Sequence, residues 1–107
     1  MPRENKVFQV NMRREAVDDL DEIRRFIQND SFARARSFLS ALKGKIFGLK
    51  RFPHRGSRAR LLGLNVKDPE IRFSEYKGYL MFYVVEGNVV TVLHVSGPGQ
   101  DWMRLFL

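Results

Sequence analysis

The alternation of hydrophobic and polar residues changes period along the chain and so predicts the order of the secondary-structure elements. Residues 6–12 alternate between apolar and polar side chains, as in a strand with one buried face. Two segments with helical spacing follow. The first covers residues 14–28, and the second begins after Ser31, a candidate N-cap, and ends at Phe52-Pro53. Because only about three polar residues separate them, we expect an antiparallel helical hairpin.

After the hairpin the chain loses its period and then becomes β-prone. Residues 54–70 contain three breaks marked by glycine or proline, which predict a long loop. Three β-prone segments follow (71–76, 78–85 and 89–95), with hairpin turns at Lys77-Gly78 and at residues 86–88. We therefore expect a single α+β domain over residues 1–107, in the order β-α-α-β-β-β. The last three strands form an antiparallel meander that completes one sheet, and the helical hairpin packs on that antiparallel sheet.

The last two predicted strands are apolar on both faces. An antiparallel sheet with one solvated face would alternate, but residues 79–85 and 89–93 do not. The helical hairpin covers only one face. The other face therefore needs a cover of its own, for which the C-terminal tail, a second copy of the chain and a partner protein are the candidates.

The overall composition is that of an ordinary globular protein. The chain has 107 residues, of which 44% are hydrophobic and 29% charged, and it has no cysteine. The absence of cysteine rules out disulfides, thiolate metal sites and a cysteine nucleophile. The longest apolar run, residues 79–85, is too short to cross a bilayer, and the N-terminus lacks the apolar segment of a secretory signal. We expect a cytoplasmic protein with no membrane partner.

The charge is unevenly distributed. The formal net charge is +7, and residues 34–60 contain nine basic residues and no acidic one. Such a block attracts an acidic protein segment or nucleic acid. The alternative is a solvated helix face followed by a basic loop. The carboxylates of the first helix are expected to lie on a solvated, charged face.

The sequence contains little support for metal or cofactor chemistry. His54 and His94 are forty residues apart and have no acidic neighbour at ligand spacing. Phosphate-loop, dinucleotide and nucleophile-elbow motifs are absent, so we predict no metal and no cofactor. Metal-free RNA cleavage needs cations for the phosphate and an acid/base pair. Residues of those types, if the sheet brings them together, are Arg58, Arg60, Arg72, Tyr76, Tyr79 and His94.

The spacing of apolar and turn residues resembles that of the RelE/ParE superfamily of type II toxin–antitoxin toxins, and more closely its ParE branch. The matching positions are Ala16, Asp19-Leu20, Glu22-Ile23, Phe26-Ile27, Ala35, Phe38, Leu42, Leu49, Phe52-Pro53, Gly56, Ile71-Arg72, residues 78–85 and Asp101-Trp102. The resemblance implies a small toxin that a co-expressed antitoxin neutralises. ParE-like toxins inhibit DNA gyrase, whereas RelE-like toxins cut mRNA on the ribosome.

Two departures from the superfamily pattern bear on this choice. RelE-like nucleases typically carry a catalytic arginine after the Gly-Tyr pair, where this chain has Leu80. ParE-like chains often end the last strand with His-Gly-Ala-Arg-Asp, where this chain has Gly97-Pro98-Gly99-Gln100-Asp101. The resemblance therefore implies a non-catalytic gyrase inhibitor. The alternative is a ribosome-dependent mRNA endoribonuclease, whose catalytic residues would be Arg58, Arg60, Arg72, Tyr79 and His94.

The same resemblance implies the partners. We expect a short, acidic antitoxin that folds on binding and that alone connects the toxin to operator DNA. The residues predicted to bind it are Arg34, Arg36, Arg58, Arg60 and Phe82. The residues predicted to bind the target lie in the apolar C-terminal tail and are Trp102, Arg104 and Phe106.

Overall fold

The helical hairpin is present at the predicted positions. The computed structural model describes residues 7–59 and 70–100, and its helices are α1 (Arg14–Gln28) and α2 (Phe32–Phe47). Ser31 is the N-cap of α2, where its side chain accepts a hydrogen bond from the Arg34 backbone N–H at 3.1 Å. The α2 helix then tightens into a 3₁₀ turn, Gly48–Lys50, ahead of Phe52-Pro53. In the described part of the chain, neither helix is long and apolar enough to cross a membrane.

The strands form one five-stranded sheet in the order β1-β5-β4-β3-β2. Their bounds are β1 Gln9–Met12, β2 Ser57–Arg58, β3 Arg72–Tyr76, β4 Tyr79–Glu86 and β5 Val89–Ser96. The predicted order and the antiparallel meander β3-β4-β5 are confirmed. Sequence reasoning missed β2, because two residues are too few to show a period.

The expectation of a wholly antiparallel sheet is wrong at β1, which pairs with β5 in parallel. The long connection through the helical hairpin allows this pairing, since parallel neighbours need a crossover rather than a tight turn. The β3–β4 turn agrees with its prediction. Lys77 and Gly78 both have positive φ, at 50° and 86°, as the two central residues of a type I′ hairpin require.

The main core lies between the helices and the sheet. Its buried residues are Ala16, Leu20, Ile23, Leu39, Leu42, Ile46, Leu49, Met81, Tyr83, Val90, Val92 and Val95. The three valines of β5 share this face despite their uneven spacing. A β-bulge explains it: Tyr83 pairs with Val92 and Phe82 with His94, so Leu93 is an extra residue in β5.

The second face of the sheet has a core of its own. Phe82 is completely buried and Leu93 is 8% exposed, and they cluster with Ala59 and Ile71. Ala59 and Ile71 flank residues 60–69, which lie outside the described residues. The chain itself therefore buries the centre of this face, so its apolar strands do not require a second copy or a partner. The C-terminal tail, the third predicted cover, also lies outside the described residues.

Candidate functional site

The chain reversal between α2 and β2 is tied to the sheet by two polar side chains. The Tyr83 hydroxyl, fully buried, donates to the Pro53 carbonyl at 2.6 Å. The Arg72 guanidinium donates through Nη1 to the carbonyls of Gly56 at 2.8 Å and His54 at 3.1 Å. The carbonyls of Pro53, His54 and Gly56 have no partner in a sheet ladder, and these two side chains supply the hydrogen-bond donors they need. We call residues 53–56 with Arg72 and Tyr83 the carbonyl knot.

Gly56 is part of the carbonyl knot for a steric reason. A Cβ atom at this position would collide with the Tyr83 hydroxyl and would lie 2.9 Å from the Phe73 carbonyl oxygen. The backbone must therefore approach both groups without a side chain. This close approach explains the glycine at position 56, one of the positions that resemble the RelE/ParE superfamily.

The residues proposed for RNA cleavage do not form one site. Arg58 pairs across the strands with Arg72 and makes an ion pair with Glu70 at 3.0 Å. Tyr79 pairs with Tyr76, four positions along β3 from Arg72. At roughly 3.3 Å per residue, Tyr79 is about 13 Å along the sheet from Arg72. Arg60 lies outside the described residues.

His94, the proposed acid or base, is held by α1. The Asp19 carboxylate lies 3.0 Å from His94 Nδ1 and accepts the Val95 backbone N–H at 2.9 Å. The Asp19 and His94 side chains are only 21% and 16% exposed. The expected solvated face is therefore wrong for Asp19. No sequence pattern indicates the contact between Asp19 and His94, because α1 and β5 come together only in the folded chain.

The basic residues of α2 separate into two rows. Arg34 and Arg36 lie on either side of the buried Ala35, about 200° apart around the helix axis. Lys45 shares the angular position of Arg34, and Lys43 shares that of Arg36, each to within about 20°. The basic block therefore does not present a single patch, and its two rows flank different grooves.

The Arg34 row borders an aromatic groove between the helices and the β3–β4 hairpin. The groove has a volume of about 570 Å³ and is lined by Phe26, Ile27, Arg34, Ser37, Phe38, Ala41, Tyr76, Lys77 and Tyr79. The Phe38 and Tyr79 ring centroids are 4.9 Å apart, and Lys45 Nζ lies 5.6 Å from the Tyr76 centroid. Phe26 is 75% exposed. Sequence reasoning missed Phe26 and Lys77 as candidate binding residues, because the first continues a helical apolar stripe and the second occupies a turn.

This groove is suited to binding rather than to chemistry. Its lining carries two cations, Arg34 and Lys77, and no carboxylate. Aromatic walls and cationic rims recognise a segment that is both apolar and acidic. Phe82, by contrast, is buried within the chain and offers no surface to a partner. In residues 7–59 and 70–100, no three His, Asp or Glu residues come together as a metal site would need.

The β-α-α-β-β-β order and the five-stranded mixed sheet are those of the RelE/ParE structural class. The chain belongs to the family described as the ParE toxin of the type II toxin–antitoxin system parDE, whose model matches residues 10–102. A comparison with curated proteins finds no match.

Three solved structures have a similar fold at low sequence identity. The chromosomal ParDE system from P. aeruginosa gives a TM-score of 0.70 at 14% identity, covering 87% of this chain and 98% of that one. The RelBE2 toxin–antitoxin complex from Mycobacterium tuberculosis gives 0.64 at 20% identity, covering 88% and 94%. The conserved hypothetical protein HP0894 from Helicobacter pylori gives 0.51 at 15% identity, covering 83% and 92%.

The carbonyl knot should make the free energy of unfolding depend on pH, and the variant Tyr83→Phe tests this. Burial raises the pKa of the Tyr83 hydroxyl above its usual value of about 10, although the Gly56 backbone and Arg72 act in the opposite direction. Above pH 10 the folded state binds more protons than the unfolded state, so stability falls as the pH rises. Near pH 7 Tyr83→Phe should cost about 1–2 kcal/mol, because the Pro53 carbonyl loses its donor.

Urea unfolding of both proteins from pH 7 to 11 measures this effect. The stability advantage of the wild type over Tyr83→Phe should shrink above pH 10, as the wild type alone loses the contribution of its neutral hydroxyl. A difference that stays constant across this range would contradict a buried, neutral Tyr83.

Proposed function

We propose that this chain inhibits DNA gyrase by binding and does not cleave nucleic acid. The observation that carries the proposal is the separation of the candidate catalytic groups. Metal-free cleavage of RNA needs a cation at the phosphate and an acid/base pair within hydrogen-bond reach of the reacting oxygens. Among the described residues, the carbonyl knot engages Arg72, and Tyr79 lies about 13 Å along the sheet from Arg72.

The position after the Gly78-Tyr79 pair supports the same proposal. Leu80 stands there, where the superfamily's nucleases typically carry an arginine. Leu80 is half-buried and packs with Phe82 on the second face of the sheet. A leucine supplies neither charge nor a proton, so this position contributes packing rather than transition-state stabilisation.

We further propose that an acidic antitoxin segment occupies the aromatic groove. Two of the similar structures are a ParDE toxin–antitoxin system and a RelBE2 toxin–antitoxin complex. An amphipathic segment would place apolar side chains against Phe26, Phe38 and Tyr79 and carboxylates beside Arg34 and Lys77. Such a segment is too short and acidic to fold alone and would order on binding.

The contact with the target is proposed for the C-terminal tail. Trp102, Arg104 and Phe106 lie outside the described residues, and the proposal rests on their composition. Four large apolar residues, Met103, Leu105, Phe106 and Leu107, accompany Trp102 within six positions of the sequence. Large aromatic residues with arginine are the common anchors of protein interfaces.

A pair of assays separates the two target classes. The purified protein should inhibit supercoiling by gyrase and leave mRNA intact in a translating extract, because Arg72 is engaged by backbone carbonyls and lies about 13 Å along the sheet from Tyr79. A chain truncated after Asp101 should stay folded by circular dichroism and lose the inhibition. Codon-specific cleavage within ribosomes, with supercoiling unaffected, would establish the RelE-type nuclease instead. Full inhibition by the folded, truncated chain would remove the tail from the target contact.

The double variant Arg34→Gln/Lys77→Gln tests the antitoxin groove. It should lower the rate of association with the co-expressed antitoxin several-fold at low salt, because electrostatic steering depends on charges at the docking surface. The dissociation rate should change much less, since apolar contacts govern it. Stopped-flow mixing at two salt concentrations measures both rates.

The matched control is Arg14→Gln/Lys50→Gln, which removes the same charge at exposed positions outside the groove lining. It should leave association close to that of the wild type. Equal slowing by both double variants would mean that net charge, and not this groove, steers the antitoxin.

A further inference from the structure

A separate cleft lies at the C-terminal end of α2, and its lining contains no carboxylate. It has a volume of about 420 Å³ and is lined by Gly44, Lys45, Gly48, Leu49, Phe52, Arg55, Gly56 and Ser74. Two of its lining residues, Lys45 and Arg55, are cations. Lys50 and Arg51 are exposed and stand in the sequence between two other lining residues. We call the lining and these two residues the basic cleft.

The four cations of the basic cleft are not neutralised by neighbouring carboxylates. None of them forms an ion pair with another residue of 7–59 and 70–100. The C-terminal end of a helix carries the equivalent of only about half a negative charge. Four cations exceed that charge several-fold, so the end of α2 does not account for them. The remaining positive charge is available to an anionic ligand.

Aromatic rings hold the cations of this region in place. The Arg55 guanidinium lies 4.4 Å from the centroid of the Phe52 ring. Lys45 Nζ and Lys77 Nζ each lie 5.6 Å from the centroid of the Tyr76 ring. Such contacts restrict long side chains, and a cation that is ordered beforehand loses less entropy when it binds an anion.

Two glycines leave α2 without side chains along the basic cleft. A Cβ atom at Gly44 or Gly48 would meet no neighbouring atom within 4 Å, so packing inside the chain does not require glycine at either position. Within the helix, Gly44 costs roughly 1 kcal/mol relative to alanine. The absence of side chains lets the backbone of a ligand approach the helix and reach the cations on both sides.

These features favour a DNA duplex over an acidic protein segment. An amphipathic segment needs apolar surface, but the only large exposed apolar side chain of the described cleft lining is Phe52, which carries Arg55 over its ring. A single strand would stack its bases on open aromatic faces. Here cations already lie over the rings of Phe52 and Tyr76. A duplex offers one phosphate charge per about 1.7 Å of its axis, which suits several fixed cations.

We propose that the basic cleft contacts the phosphate backbone of duplex DNA, with Lys45 and Arg55 as its main contacts. This inference rests on the proposed function and deepens it, because gyrase, the proposed target, holds a DNA duplex. The toxin then contacts the DNA as well as the protein of its target. Phosphate contacts carry no sequence information, so the basic cleft does not replace the antitoxin in the recognition of operator DNA.

Fluorescence anisotropy with a labelled duplex of about 20 base pairs and arbitrary sequence tests the contact in the absence of gyrase. The variant Lys45→Gln/Arg55→Gln should bind this duplex about tenfold more weakly than the wild type at low salt. It should also reduce the slope of log K against log salt concentration by about 2, because two phosphate contacts are lost. Circular dichroism checks that the variant is folded.

The matched control is Arg36→Gln/Lys43→Gln, which removes the same charge from the other row of α2. Lys43 lines a different, apolar groove with Met12, Leu39 and Phe47. The control should keep the salt slope of the wild type. Equal weakening by both double variants would mean that net charge binds the duplex, and would overturn the inference.

Competition distinguishes DNA from an acidic protein segment. An oligoglutamate peptide should displace the labelled duplex much less efficiently than unlabelled duplex does at equal charge concentration. Equally efficient displacement would make the basic cleft a surface for acidic protein segments and would overturn its assignment to DNA. Tighter binding of a single strand than of the duplex would overturn the assignment as well.

A supercoiling assay connects the basic cleft to the target. Lys45→Gln/Arg55→Gln should need about tenfold more toxin than the wild type for half-inhibition of gyrase, in proportion to its weaker binding of DNA. Unchanged inhibition by this variant would overturn the inference and leave the proposed function intact. Absence of inhibition by the wild type would overturn the proposed function instead, whereas the anisotropy measurement tests the DNA contact without gyrase.

Discussion

The contact between Arg72 and the chain reversal at residues 53–56 joins the helical layer to the sheet. There the chain runs from the 3₁₀ turn after α2 to β2, and its carbonyl groups have no partners in a helix or a sheet ladder. Arg72 and Tyr83 supply the missing donors from two neighbouring strands at one register position. A hydrogen bond from a charged donor contributes about 1.5–3 kcal/mol, a large share of the stability of a small domain. Tyr83 belongs to the main core, so the carbonyl knot ties residues 53–56 to that core.

The carbonyl knot also explains why the surface favours binding over catalysis. A guanidinium that donates to two backbone carbonyls is poorly placed to neutralise a developing phosphate charge. The cations that remain on the surface of α2 lie in two rows, each beside an apolar groove. Grooves that combine aromatic or aliphatic walls with lysine and arginine rims are suited to acidic, amphipathic segments. Arg72 therefore contributes to structure, and the aromatic groove beside α2 is the surface proposed for the antitoxin.

The sequence predicted those elements of the fold whose apolar residues repeat at a regular spacing or whose ends carry a typical cap or turn residue. Leu20 and Ile23 repeat at helical spacing, Ser31 caps the following helix, and Lys77-Gly78 has the composition of its turn. What the sequence could not reveal depends on tertiary contacts. The two residues of β2 are too few to show a period. The parallel pairing of β1 with β5 depends on the long connection through the helical hairpin. The pairing of Asp19 with His94 links residues 75 apart in sequence.

The same distinction holds for the candidate site. The basic block was visible in the sequence, but its division into two rows follows from the helical position of each residue around Ala35. Phe82 was predicted to bind the antitoxin, but it is buried in a cluster with Ala59, Ile71 and Leu93, residues distant in the sequence that meet only in the folded chain. Arg72 read as a phosphate-binding residue because its carbonyl partners lie 16 and 18 positions earlier in the chain.

Replacing Arg72 by glutamine tests the central claim most directly, because it separates structure from function at one residue. The measurement pairs the free energy of unfolding with gyrase inhibition per folded molecule, at a temperature where the variant remains folded. Arg72→Gln should lower the free energy of unfolding by about 2 kcal/mol, because two carbonyls lose a charged donor, and should leave inhibition unchanged. Unchanged stability together with lost inhibition would contradict it and would make Arg72 a functional residue.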